Sequence, residues 1–144
     1  MPAEYNWVAW ALLSATFAAL TAILAKVGLE GIDSDYATLI RTAVILLALA
    51  ALVVATGKWT DPRALPARSL LFLVLSGLAT GASWAAYFRA LKAGHASRVA
   101  PIDKLSVVLV AVFAVIFLGE RPAPRDWLGI VLIAAGVLTL AVRR

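Results

Sequence analysis

The sequence predicts an all-α integral membrane protein with five transmembrane helices, and three observations carry the prediction. Hydrophobic residues make up 63% of the chain and charged residues 15%, a balance that a soluble domain of this length could not bury. The apolar residues gather into five long stretches, each near the length that a bilayer requires. The connections between the stretches are short and hold most of the charge. Five such stretches leave no room for a soluble domain, so residues 1–144 are read as one transmembrane domain.

The first span is placed at about 7–26, with Trp7 and Trp10 suited to the membrane interface and Lys26 able to snorkel at its end. Its apolar run is too long for a signal-peptide core, and the leader Met1-Pro2-Ala3-Glu4 has no basic residue, so the span is expected to be retained. Gly28 to Asp35 is read as a loop. The second span, about 36–56, becomes uncharged only after Arg41, which must dip below the surface or snorkel. A solvated turn with Pro62 and Pro66 leads to the third span, about 69–93, whose uncharged part ends at Arg89.

Gly94-His95-Ala96-Ser97-Arg98 reads as a tight turn, and Pro101 fits the first turn of a fourth span at about 99–118. Its uncharged part, Leu105 to Leu118, is about 14 residues or roughly 21 Å of helix, short of the ~30 Å hydrocarbon core. Asp103 and Lys104 therefore fall within the hydrocarbon or at its edge, where an ionised side chain costs roughly 2.5–3.5 kcal/mol unless paired or hydrated. Pro122 and Pro124 separate this span from the fifth, about 125–142, after which Arg143-Arg144 closes the chain.

Composition also narrows the function. Cysteine is absent, which excludes disulfides, thiolate catalysis and soft metal sites, and His95 is the single histidine. No metal site and no cofactor is expected. An intramembrane enzyme is disfavoured too, since no second histidine and no paired carboxylates are at hand for acid-base chemistry. The net charge of +5 sits at helix ends, as expected for loops that touch anionic lipid, and has no nucleic-acid meaning. The first span offers only Ser14, Thr16 and Thr21 as polar groups, so proton exchange against large cations through a carboxylate there is disfavoured. His95, in a turn beside Ser97 and Arg98, reads as an exposed loop histidine.

An odd number of spans places the ends of the first, third and fifth on the same side as the starts of the second and fourth. That side collects Lys26, Arg41, Arg89, Lys92, Arg98, Asp103 and Lys104. Two readings remain for Asp103 and Lys104: a gate or substrate-binding set formed with Arg41 and Arg89, or an ion pair and cap near a helix start. For Arg41 and Arg89 by themselves, snorkelling and a structural role are favoured. The deep set, counted as three basic groups and one acid, favours an anion, a zwitterion or an amino acid over a multivalent cation.

In the third span, Gly77 and Gly81 stand at GxxxG spacing and predict a helix-packing face. Thr80, Trp84 and Tyr87 share another face at i, i+4, i+7 spacing, where an aromatic-lined pocket and plain interface anchoring are both open.

Taken in order, Lys26, Ile40-Arg41-Thr42, Tyr87-Phe88-Arg89-Ala90-Leu91, Pro101 and Phe117-Leu118-Gly119-Glu120-Arg121 resemble one EamA domain of the drug/metabolite transporter superfamily. The resemblance covers essentially the whole chain, with Gly129 and Gly136 in the last span, and points to the short, single-domain bacterial and archaeal branch. Longer relatives join two such domains in inverted orientation, so this chain resembles one half of a ten-helix inverted-repeat transporter. Carried over residue by residue, the resemblance makes Trp84, Tyr87, Arg89, Asp103, Lys104 and Ser106 candidates for the cavity or its gate, beside Arg41. Glu120 and Arg121 look like residues that end a span.

The expected function is that of a half transporter for a small polar metabolite in the inner membrane, working by alternating access as an antiparallel homodimer. The alternative is an accessory or scaffold subunit that packs through Gly77 and Gly81 and transports nothing. With Arg41, Arg89 and Lys104 set aside as embedded, basic residues divide about five against five between the two sides, which gives almost no orientation signal. If the embedded residues do count, a single orientation with the C-terminus inside is expected instead, with a parallel dimer or a different partner.

Overall fold

A computed structural model describes residues 6–142; the leader Met1-Pro2-Ala3-Glu4 and the closing Arg143-Arg144 lie outside the described residues. The described chain is helical, with α1 at Asn6–Gly28, α2 at Ser34–Ala55, α3 at Ala67–Ala93, α4 at Ala96–Asp103, α5 at Ser106–Phe113 and α6 at Pro124–Ala141. A 3₁₀ turn, Pro62–Ala64, precedes α3, and a π-helical turn, Ala114–Leu118, follows α5. Among the described residues five segments are long and apolar enough to cross a membrane, the fourth of them Ala96–Leu118. The protein is a multi-pass, all-α membrane protein. Contacts divide it into two units, Ile23–Ala93, and Met1–Ala22 with Gly94–Arg144, of which 6–22 and 94–142 are described.

In the first unit, the chain leaves α1 through Gly31, whose φ of 72° suits a residue without Cβ. Asp33 then caps α2: its carboxylate accepts from the Asp35 N–H at 2.9 Å and the Tyr36 N–H at 3.1 Å, meeting two of the donors that a helix start leaves open. The cap starts α2 at Ser34, ahead of the expected 36, and brings Asp35 into its first turn, where a carboxylate suits the helix dipole. At the other end Gly57, φ 65°, closes a Schellman motif in which Lys58 N–H donates to the Val53 carbonyl and Gly57 N–H to the Val54 carbonyl, both at 3.0 Å. The helix α2 packs on α3, and Ala25, Leu29, Ser34, Phe88 and Leu91 are the buried residues of the unit.

Several threonine hydroxyls inside the spans are satisfied on their own helices. Thr38 donates to the Ser34 carbonyl at 2.8 Å, Thr42 to Thr38 at 2.8 Å and Thr80 to Ser76 at 2.9 Å. This is how a polar group avoids an open donor where no water is present.

In the second unit, the fourth span departs from its expected form. It starts at Ala96 and not at 99, because the chain turns helical directly after His95, whose carbonyl accepts from the Arg98 and Val99 N–H groups at 3.0 Å. Pro101 therefore lies inside α4, where it supplies no N–H to the Ser97 carbonyl. Beyond it the backbone tightens. Lys104 bonds back to Pro101 at 2.9 Å, and Leu105 to Ile102, Val107 to Lys104 and Val108 to Leu105 at 3.0 Å, all in the i to i−3 pattern. Lys104 and Leu105 form the interruption between α4 and α5. Gly119, φ 67°, ends the span, and Glu120 N–H closes on the Ala114 carbonyl at 3.2 Å. Pro124 opens α6, and the Asp126 carboxylate accepts from the Ala123 N–H at 2.8 Å. Both α4 and α5 pack on α6.

Candidate functional site

The antiparallel pair α2 and α3 is pinned by contacts whose positions step in opposite directions along the two chains. Lys92 Nζ donates to the Ile32 carbonyl at 2.7 Å, at the outer end. Next inward, Arg89 grips Asp35 with both arms of its fork, Nε to Oδ1 at 2.9 Å and Nη2 to Oδ2 at 2.7 Å. Farther in, the Arg41 guanidinium lies 5.0 Å from the Trp84 ring centre and 4.5 Å from that of Phe88. Lys26 adds a strut from α1, donating to the Leu91 carbonyl at 2.6 Å, where the last turn of α3 has carbonyls to satisfy.

Each contact has a cause in the sequence. Trp84 and Phe88 are one helical turn apart, so they present neighbouring rings to one point on α2. Phe88 is 1% exposed and Tyr87 meets it edge to face at 6.1 Å, which holds the ring in place. Arg41 sits about 10 Å along α2 from Ser34. A cation at that depth costs up to about 3 kcal/mol on insertion scales, and contact with two ring faces offsets about 0.5–2 kcal/mol of it. Arg41 Nη1 is nevertheless buried with no hydrogen-bond partner.

The remaining candidates lie in the second unit. Lys104 Nζ stands 3.5 Å from Asp103 Oδ2, and Ser106 is the first residue of α5. All three are exposed; Asp103 and Ser106 flank the interruption of the fourth span and Lys104 lies in it, about 11 Å along the span from Ala96 if its rise is helical. Among the described residues no group of three or more Asp, Glu and His side chains comes together to hold a metal ion. Gly77 and Gly81 are exposed, and a Cβ built on either meets no atom within 4 Å.

The profile of the EamA-like transporter family matches residues 5–142. The chain belongs to that family. Among curated proteins, it is 65% identical over 137 residues to a Sinorhizobium sp. protein described as an uncharacterized transporter in the cobO 3′ region, a match that covers 95% of this chain and 97% of that protein. No solved structure matches it.

Two residues of the cluster between α2 and α3 are not singled out by the sequence alone. Asp35 is read there as the end of a loop, and Phe88 is passed over between Tyr87 and Arg89. The signal for Asp35 was the stretch Asp33-Ser34-Asp35, an N-cap with an acid two residues on, which predicts a helix start at Ser34. For Phe88 it was the i, i+4 spacing from Trp84. With Asp35 included the charge count changes. Arg89 is paired with Asp35 and, in the other unit, Lys104 with Asp103; of these three basic candidates Arg41 is the one outside any ion pair among the described residues.

Proposed function

We propose that the protein is one half of a secondary transporter that carries a small polar metabolite across the inner (plasma) membrane by alternating access, two copies meeting as an antiparallel homodimer. The observation that carries this reading is the interruption of the fourth span at Lys104 and Leu105, where Lys104 pairs with the preceding Asp103. Membership of a transporter family gives the class, and a broken apolar helix gives a place where backbone and charge can face a solute. A tightened i to i−3 stretch is also a natural hinge, as rocking about a fixed site requires.

The residual charge supports the substrate class. On the pair α2 and α3, Arg89 is matched by Asp35 while Arg41 is in no ion pair among the described residues, a surplus of positive charge that favours an anion, a zwitterion or an amino acid. Five spans support the assembly, since two oppositely inserted copies of an odd-span unit reproduce an inverted repeat. The test is uptake into proteoliposomes by wild type and by Asp103→Asn. Saturable uptake that the variant loses is the expected result. Metabolite uptake no greater than that of empty liposomes, in a protein that still binds a membrane partner, favours the accessory role.

A further inference from the structure

We propose that Arg41 is an oxyanion-binding residue whose guanidinium, held against the rings of Trp84 and Phe88, takes a carboxylate or phosphate group through its unpartnered Nη1 N–H groups. The proposal deepens the transport reading, on which it rests for the ligand being a solute.

The neighbouring cations have acceptors of their own. Lys26, Arg89 and Lys92 each donate to an oxygen of their own unit, at 2.6 to 2.9 Å, and so act as struts between helices. Arg41 differs in kind. Its contacts are ring faces, which attract positive charge but hold no lone pair for an N–H to point at. Its Nη1 is closed off from the surroundings and has no acceptor. A cationic donor left in that state is costly, and native proteins rarely keep one without a use.

Simple snorkelling accounts for this poorly. A snorkelling arginine extends its head toward water and headgroups while its stem covers apolar surface. Here the head is drawn against two aromatic rings and one of its nitrogens is sealed. The arrangement fixes the fork in advance, which lowers the ordering cost of gripping a planar oxyanion. Since Asp35 is taken by Arg89, no carboxylate of the pair α2 and α3 competes for the place. Access to Nη1 requires the packing over it to open, which an alternating-access cycle supplies.

The test uses the full chain with nitrogen-15 arginine in nanodiscs, where the Arg41 side-chain signal is assigned by its loss in Arg41→Lys or, should that variant not fold, by the change that Trp84→Phe imposes on it. The probes are acetate and inorganic phosphate in phosphatidylcholine discs, methylammonium as a control, and discs in which phosphatidylglycerol replaces phosphatidylcholine. The expected result is a saturable shift of the Arg41 signal with acetate or phosphate, none with methylammonium, and a fixed Arg89 signal. By titration calorimetry, Arg41→Lys, which keeps charge but loses the fork, should bind acetate or phosphate about tenfold more weakly than wild type, a change equal to about 1.4 kcal/mol. A shift seen only with phosphatidylglycerol assigns the oxyanion to a lipid headgroup. An Arg41 signal unmoved by every oxyanion overturns the proposal, as does equal movement of Arg89. Transport that persists beside an unmoved Arg41 leaves the transport reading standing, and anion binding without transport does the reverse.

Discussion

Arg89 on α3 holds Asp35 on α2 by a two-armed ion pair, at 2.9 and 2.7 Å, across 54 residues of sequence. It sets the register of the two helices at the end where Arg41 enters. The pair is therefore expected to matter for stability and only indirectly for transport. Asp35→Asn and Arg89→Gln should each lower the melting temperature in detergent, and the double variant should melt no lower than the worse single one. Full additivity of the two losses would mean that the side chains do not act as a pair.

The interruption of the fourth span yields a second expectation. Pro101→Ala restores an N–H inside α4 and removes the ring that opposes a regular helix. Melting temperature should rise while the transport rate falls, because a straightened span is a poorer hinge. A variant that transports at the wild-type rate would remove Pro101 from the mechanism.

Charge at the same place gives a third. Asp103→Asn should impair transport while membrane insertion stays intact, and Lys104→Met should weaken apparent affinity for an anionic or zwitterionic solute. Glu120→Gln, next to the Gly119 stop, should alter folding yield and little else. Unchanged transport in Asp103→Asn would reduce the Asp103 and Lys104 pair to a local salt bridge.

The small-residue face of α3 makes a fourth prediction, reshaped by the structure. Among the described residues no atom comes within 4 Å of a Cβ placed at Gly77 or Gly81, so a side chain at either position starts in open space within a single copy. We propose that these glycines pack against a second copy. Gly77→Leu and Gly81→Leu should then weaken the dimer in crosslinking while helical content is preserved. Wild-type crosslinking in both would mean that the face looks onto lipid.

The all-helical fold with five spans was legible because the bilayer imposes a length and a composition that single residues cannot hide. The family was legible as well, from the order of short motifs between Lys26 and Arg121. The form of the fourth span was not. Its outcome depends on where Pro101 falls relative to the helix start, and a start at Ala96 in place of 99 moves the proline from a harmless first turn to a position that disturbs the backbone. The Asp35 and Arg89 pair was hidden for another reason. Span lengths say nothing of register, and register decides which acid meets which base. Once the N-cap at Asp33 fixes the start of α2, counting along the antiparallel helices brings 35 opposite 89.

Assembly has its own test. Single cysteines introduced at Ala64 and after the last residue, labelled in intact cells, should both show mixed accessibility if copies insert in both orientations. Strict one-sided labelling would sink the antiparallel homodimer and favour a parallel dimer or another partner.

The most direct test of transport itself is exchange across a defined membrane. Proteoliposomes of wild type, of Asp103→Asn and of lipid alone are exposed to one mixture of amino acids, organic acids and organic cations, and the trapped solutes are read by mass spectrometry. The account predicts saturable uptake of at least one carboxylate-bearing solute by wild type, its loss in Asp103→Asn, and no uptake of the cations. Uptake limited to cations, or uptake of every solute equal to that of lipid alone, would contradict it.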